Sequence, residues 1–160
     1  MNKAIATPSK TKEILETYDL FAKKNYGQNF LIEPGIVEKI ARSAVTNDHT
    51  IAIEIGPGIG ALTQQLAYLA KKVIAFEIDE RLPDILKETL SEFDHVEIIN
   101  QDFLTVDIRS YVEQYTKQGY DVVVAANLPY YITTPILFHL FESQAPIQSI
   151  TCLLYTSRCV

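Results

Sequence analysis

Apolar residues along this chain fall into two alternating rhythms: short unbroken runs, and stripes at helical spacing. The first run is Ile51-Ala52-Ile53, followed by Glu54-Ile55. Three glycines stand next at alternate positions, Gly56, Gly58 and Gly60, and then Ala61, Leu62, Leu66 and Leu69 recur at helical spacing. That order predicts a buried strand, a tight turn and a helix. The alternation then repeats. A second run, VIAFEID, ends in Glu77 and Asp79, and Leu82, Ile85, Leu86 and Leu90 make a helix. Val96, Ile98 and Ile99 form a third strand ending at Asn100-Gln101-Asp102-Phe103, before a helix near Asp107 to Tyr115. A fourth strand, Val122 to Ala126, runs into Asn127-Leu128-Pro129-Tyr130. Pro135 is expected to begin the next helix, through about Phe141, and Ile147 to Leu154 a fifth strand. Upstream, Pro8 to Phe21 reads as a helix capped by Thr7 or Ser9, with Leu15, Tyr18 and Phe21 on its apolar side. An ordered loop around Gly27-Gln28-Asn29-Phe30-Leu31 follows, and Pro34 starts a helix with Ile36, Val37, Ile40, Ala41 and Ala44 on one face.

Strands alternating with helices at this spacing mean an α/β fold, a doubly wound parallel sheet covered on both faces. In such sheets ligands lie beyond the carboxyl ends of the strands. Four of those ends carry polar residues: Glu54 with its glycines, Glu77, Asp102 and Asn127. Their convergence on one rim predicts a binding cleft.

Composition narrows the class. With 160 residues and 48% apolar content, the chain holds enough for one domain with a core. No apolar run approaches the roughly 18 residues of a membrane span. Met1 to Ile5 lacks the apolar core of a signal peptide. Cys152 and Cys159 alone form neither a disulfide framework nor a metal pattern, so no metal and a reducing cytoplasm are expected. Net charge of -6 argues against a generic nucleic-acid binder. Yet residues 1–42 hold seven Lys/Arg against five Asp/Glu, and the remainder seven against fifteen. Lys10, Lys12, Lys23 and Lys24 are therefore either a solvated helix face and loop or a basic lip for phosphates.

The strand ends differ in what they can discriminate. Glycines serve where φ is positive or a ligand lies against the main chain, and the helix start offers free N–H groups. Glu77, twenty-one residues after Gly56, can accept both hydroxyls of a ribose, or be a solvated strand end. Gly56-x-Gly58-x-x-Ala61 also satisfies a loose dinucleotide fingerprint, so these features fit NAD and S-adenosylmethionine alike. Asp102 can accept from an adenine amino group, or simply cap a turn. Asn127-Leu128-Pro129-Tyr130 is the sharpest feature. A rigid prolyl turn can aim the Asn127 side-chain oxygen and the Leu128 carbonyl at one exocyclic amine, with Tyr130 as a stacking face. Read without a ligand, the same residues are a capped, packed turn.

At these residues the chain resembles the bacterial small-subunit rRNA adenine N6,N6-dimethyltransferases. YGQNFL (Tyr26–Leu31), EIGPGIGALT (Glu54–Thr63), FEID (Phe76–Asp79), QDF (Gln101–Phe103) and NLPYYITTP (Asn127–Pro135) carry the resemblance, in the family's order, over roughly residues 20 to 150. The large-subunit rRNA methylases that confer macrolide resistance share NLPY with QNFL. The resemblance implies a Rossmann-like S-adenosylmethionine-dependent methyltransferase. It implies that Asn29 and Leu31 cover the methionine part of the cofactor, that Gly56, Gly58 and Gly60 bind it through the backbone, and that Glu77 holds the ribose and Asp102 the adenine. It places Asn127 at the sulfonium and the target base, with Leu128 and Tyr130 at the base. The substrate it implies is a pair of adjacent adenosines near the 3′ end of 16S rRNA in the small-subunit precursor. His49, His95 and His139 fall outside the motifs and are expected to be structural.

On this reading, residues 1–49 are N-terminal helices with a cofactor-covering loop and 50–154 the methyltransferase core. The sheet is expected to be incomplete at its C-terminal edge. LLYTSRCV departs from the family's continuation, so 155–160 are expected to be a non-native tail and the family's C-terminal helical domain to be absent. Alone, such a chain is expected to be inactive. The competing readings are an NAD-dependent oxidoreductase, which leaves NLPY unexplained, and a non-catalytic RNA-binding assembly factor.

Overall fold

The computed structural model describes residues 4–20 and 33–155. Asn29, Leu31, Phe21, Lys23, Lys24 and the tail 156–160 lie outside them. Five strands, β1 (Thr50–Ile55), β2 (Lys72–Glu77), β3 (Val96–Asn100), β4 (Asp121–Pro129) and β5 (Ser149–Tyr155), form one sheet in the order β3-β2-β1-β4-β5. Every pairing is parallel. Among the described residues six helices cover it: α1 (Pro8–Thr17), α2 (Pro34–Ala44), α3 (Ala61–Leu69), α4 (Leu82–Thr89), α5 (Ile108–Thr116) and α6 (Tyr130–Glu142). The predicted doubly wound α/β architecture is therefore present.

Period-two alternation sorts the strand residues onto two faces. On one face Ala52, Val73, Val123 and Ala125 pack with Val37 and Ala41 of α2, Leu62 and Leu66 of α3, and Leu82 and Leu86 of α4. On the other, Ile53, Ile55, Ile74, Phe76 and Val124 pack with Val112 of α5 and Ile136 and Leu140 of α6. The central strand β1 is buried at all six positions, which is why it reads as an unbroken apolar run. Among the described residues no helix is long and apolar enough to cross a membrane.

The N-terminal segment is tied to this frame. Thr7 caps α1, its hydroxyl accepting from Lys10 N–H, and Pro8 occupies the first turn. Ile5 and Ile14 are buried in the α2–α3 core, and Ile5 N–H donates to the buried Gln64 Oε1 on α3 at 2.8 Å. On α2, Val37, Ile40, Ala41 and Ala44 face inward as expected, but Ile36 is 41% exposed. It lies beside the stripe rather than on it.

The C-terminal third departs from the sequence reading. β4 does not stop at Ala126, because β5 pairs with Asn127, Leu128 and Pro129. Pro129 sits at the strand's last position, where a missing N–H is tolerated. The helix then starts at Tyr130, with Pro129 as its cap, and Pro135 lies inside it. A proline there removes the bond to the carbonyl of residue 131 and crowds that carbonyl, one turn into the helix. Thr133 Oγ1 donates to the Pro129 carbonyl at 3.0 Å and secures that first turn.

Gly60 joins the loop to α3 at φ +95°, and a Cβ there would come within 3.2 Å of Leu86 Cδ2 and Leu90 Cδ1. Gly60→Ala is expected to destabilise the fold by roughly 2–3 kcal/mol, from left-handed strain and overpacking together. Urea titration of the variant beside the parent checks this.

Candidate active site

The sheet register aligns the strand ends. Ile55 is level with Phe76 on one side and Ala126 on the other, and Phe76 with Ile99. One residue further along each strand stand Asn100, Glu77, Gly56 and Asn127, in a row across four adjacent strands. The sequence prediction of a polar rim at the carboxyl edge is thus met at Glu77 and Asn127, with Asp102 two residues beyond Asn100.

The glycine loop is built by that row. Gly56 and Gly58 have φ of +68° and +60°, a region L side chains rarely adopt. Gly56 N–H donates to Phe76 O at 2.9 Å, and Gly60 N–H closes a turn on Pro57 O. Gly58 N–H donates to Glu77 Oε1 at 3.1 Å, while Glu77 Oε2 accepts from Asp79 N–H at 3.0 Å. The carboxylate at the end of β2 therefore holds the loop after β1. Each oxygen retains a further acceptor site, so bonds to a pair of hydroxyls remain chemically available. Glu77 is 4% exposed, and burial pushes its carboxyl above the usual range against the pull of its backbone N–H partners.

Glu54 is enclosed more completely, at 1% exposure. It bonds to the Thr63 hydroxyl on α3, and burial, with a further push from Glu77, raises its carboxyl to about 8. Sequence reading placed Glu54 at a strand end but gave no sign of Thr63, nine residues on, as its partner. Asp79 is fully buried and paired with Arg81, Nη2 to Oδ2 at 2.6 Å, just before α4. Asp102 is half-buried and caps the short 3-10 turn Phe103–Thr105, Oδ1 accepting from Leu104 N–H at 3.0 Å.

Asn127 differs from all of these. Its Oδ1 is buried and has no hydrogen-bond partner among the described residues. Such an atom costs about 1–3 kcal/mol, a penalty that a site for an amine donor explains. Leu128, next along β4, is buried, and its side chain would touch a Cβ placed on Gly56 at 3.6 Å. Tyr130 then stands 56% exposed at the head of α6, with Tyr131 edge-on at 6.0 Å between ring centroids. A rigid strand end thus presents an unpartnered acceptor beside an open aromatic face.

The histidines have structural partners. His95 and His139 ring nitrogens meet the carbonyls of Ala67 and Val106 at 2.7 and 2.9 Å, and His49 stacks on Tyr120. Lys10 and Lys12 pair with Glu13 and Glu16 on their own helix, which fits the solvated-face reading. No group of acidic, His and Cys side chains that could hold a metal ion occurs among the described residues.

A five-stranded parallel sheet in this order, with a glycine loop after β1, an acid ending β2 and an asparagine ending β4, defines the Rossmann-like methyltransferase class. The ribosomal RNA adenine dimethylase profile matches residues 20–158, and the chain belongs to that family. It is 51% identical over 153 residues to a ribosomal RNA small subunit methyltransferase A from Oceanobacillus iheyensis, covering 96% of this chain and 52% of that protein. The chain spans about half the length of the curated relatives it matches. Among solved structures, the 23S rRNA methyltransferase ErmE superposes with a TM-score of 0.65 at 30% identity, over 79% of this chain and 48% of ErmE. An RNA methyltransferase from Salinibacter ruber, solved in complex with S-adenosyl-L-homocysteine, shares the fold with a TM-score of 0.61 at 20% identity, over 79% of each chain. The family assignment leaves the oxidoreductase reading without support.

Proposed function

We propose that this chain carries the cofactor and target-base sites of an S-adenosylmethionine-dependent enzyme that dimethylates N6 of two adjacent adenosines near the 3′ end of 16S rRNA. The observation that carries the proposal is the buried, unpartnered Asn127 Oδ1 at the end of β4, beside the glycine loop. Its partners are then 16S rRNA and the small-subunit precursor, in the cytoplasm. Residues 1–49 supply the N-terminal helices and a cofactor-covering loop that includes Asn29 and Leu31, and residues 50–154 the core.

The residues present fit the cofactor. Gly56 and Gly58 bring bare backbone to the cleft, Gly60 turns the loop into α3 so that its main chain follows them, Glu77 offers acceptors to a ribose and Asp102 one to an adenine amine. When bound, S-adenosylmethionine supplies a methyl group on a positively charged sulfur. The chain's own task is to prepare the nucleophile. The adenine amine is weak because its lone pair is delocalised into the ring. Asn127 Oδ1 and the Leu128 carbonyl accept its two hydrogens and favour a pyramidal nitrogen with a localised lone pair. Tyr130 stacks on the base, which must leave its own stack to reach the pocket. No His, Lys or Cys belongs to this set, so catalysis rests on positioning and electrostatics.

The test is binding of radiolabelled S-adenosylmethionine, against NAD, to a protein of the relatives' full length carrying this sequence. S-adenosylmethionine is expected to bind and NAD not to. Glu77→Ala is expected to weaken binding by roughly 1.5–3 kcal/mol, through lost ribose bonds and a freed Gly58 N–H. Unchanged affinity would remove Glu77 from the site.

A further inference from the structure

We propose that Glu54 is a specificity-determining residue: it keeps a proton in the free protein and yields it when the positively charged methyl donor binds, so the donor is preferred to its neutral thioether product. This rests on the cofactor reading above.

The geometry puts two carboxylates in one dry place. Glu54 is level with Ala75 in the register, and Glu77 stands two residues beyond Ala75 on the same face of the sheet. Both are buried, and neither forms an ion pair among the described residues. Two like charges so placed cannot both ionise cheaply. Their hydrogen bonds decide which one keeps the proton. Among the described residues Glu77 accepts two backbone N–H bonds, whereas Glu54 accepts from the Thr63 hydroxyl alone. Glu54 is therefore the protonated member, in accord with a carboxyl held near 8. Among the described residues, none supplies a compensating positive charge. Of these residues, α3 brings the Thr63 hydroxyl and, next to it, the neutral Gln64 that binds Ile5 N–H, and β2 brings Glu77. In the turn after β2, Asp79 is balanced by Arg81. β4 contributes Val123 and Ala125, and the buried face of α2 is Val37, Ile40, Ala41 and Ala44.

A ligand with one net positive charge changes that balance. The donor carries a sulfonium, an ammonium and a carboxylate, and its product lacks the sulfonium charge. Binding the donor favours ionised Glu54, whose proton passes to the solvent buffer with no other bond made or broken. Donor affinity then rises with pH while Glu54 is protonated in the free protein. The preference for donor over product rises with it, by at most about tenfold per pH unit.

Titration calorimetry at pH 7 in two buffers of different ionisation heat measures the proton released. The protein is of the relatives' full length, and the ligands are S-adenosylmethionine and S-adenosylhomocysteine. Proton release is expected with the donor, less of it with the product, and less with the donor in Glu54→Gln, whose remaining release is the ligand's own. Infrared difference spectra of the parent protein give an independent reading that needs no variant: a protonated carboxyl band should disappear on donor binding and persist with the product. Donor binding with equal proton release in parent and variant, or with no carboxyl band lost, overturns the proposal and leaves the cofactor reading intact. Failure of the donor to bind the parent overturns both.

Discussion

In a protein of the relatives' full length carrying this sequence, the proposed function predicts that Asn127→Ala lowers methyl transfer at least about 100-fold while leaving the thermal midpoint unchanged or raised. The two halves of this result have one cause. Oδ1 is buried without a partner, so the folded protein carries its desolvation cost at all times. Truncation removes that cost, and the small cavity left at a strand end offsets part of the gain. The activity loss is of the size seen when one preorganised polar group is removed from a transition state, about 100- to 1,000-fold. Initial rates on 16S rRNA and a thermal melt of the same preparation check both halves. A variant that methylated at the parental rate would refute the acceptor-pair mechanism. A large fall in midpoint would make Asn127 a structural residue.

Stability is expected to fall as pH rises from 5 to 9, and Glu54→Gln is expected to remove most of that fall. In the folded protein the Glu54 carboxyl keeps its proton to about pH 8, whereas the unfolded chain releases it near 4.5. Between those values the unfolded state binds fewer protons, so each step upward in pH favours unfolding. The stabilisation is full below 4.5 and lost by the time pH passes 8. A shift of that size corresponds to roughly 4–5 kcal/mol across the window. Glu77, also raised, adds in the same direction. Glutamine retains the shape and an acceptor for Thr63 but has no proton to lose. Urea midpoints at pH 5, 7 and 9 for parent and variant measure the difference.

Much of this molecule could be read from its sequence because the relevant physics is local. Unbroken apolar runs mark buried parallel strands, and three alternate glycines mark a turn no other residues would form cheaply. The end of β2 at Glu77 was legible for the same reason, since a polar residue closes its apolar run there. What could not be read depends on contacts distant in sequence. Pro135 resembles a helix start, yet Pro129 heads α6 because pairing with β5 carries β4 that far. Nothing near Glu54 announces the Thr63 hydroxyl, and nothing near Glu77 announces the Gly58 N–H. The missing partner of Asn127 Oδ1 is a property of the folded surroundings alone.

The sheet order also sets a sequence of assembly. β1, β2 and β3 are neighbours both along the chain and in space, so they can pair as soon as they have been synthesised. That nucleus already contains the glycine loop, the Glu77 clamp on Gly58 and the Asp102 turn. β4 arrives later and must insert beside β1, matching Asp121 to Thr50 across everything between them. During synthesis from the N-terminus, the glycine loop, Glu77 and Asp102 are therefore in place before Asn127 is added beside them.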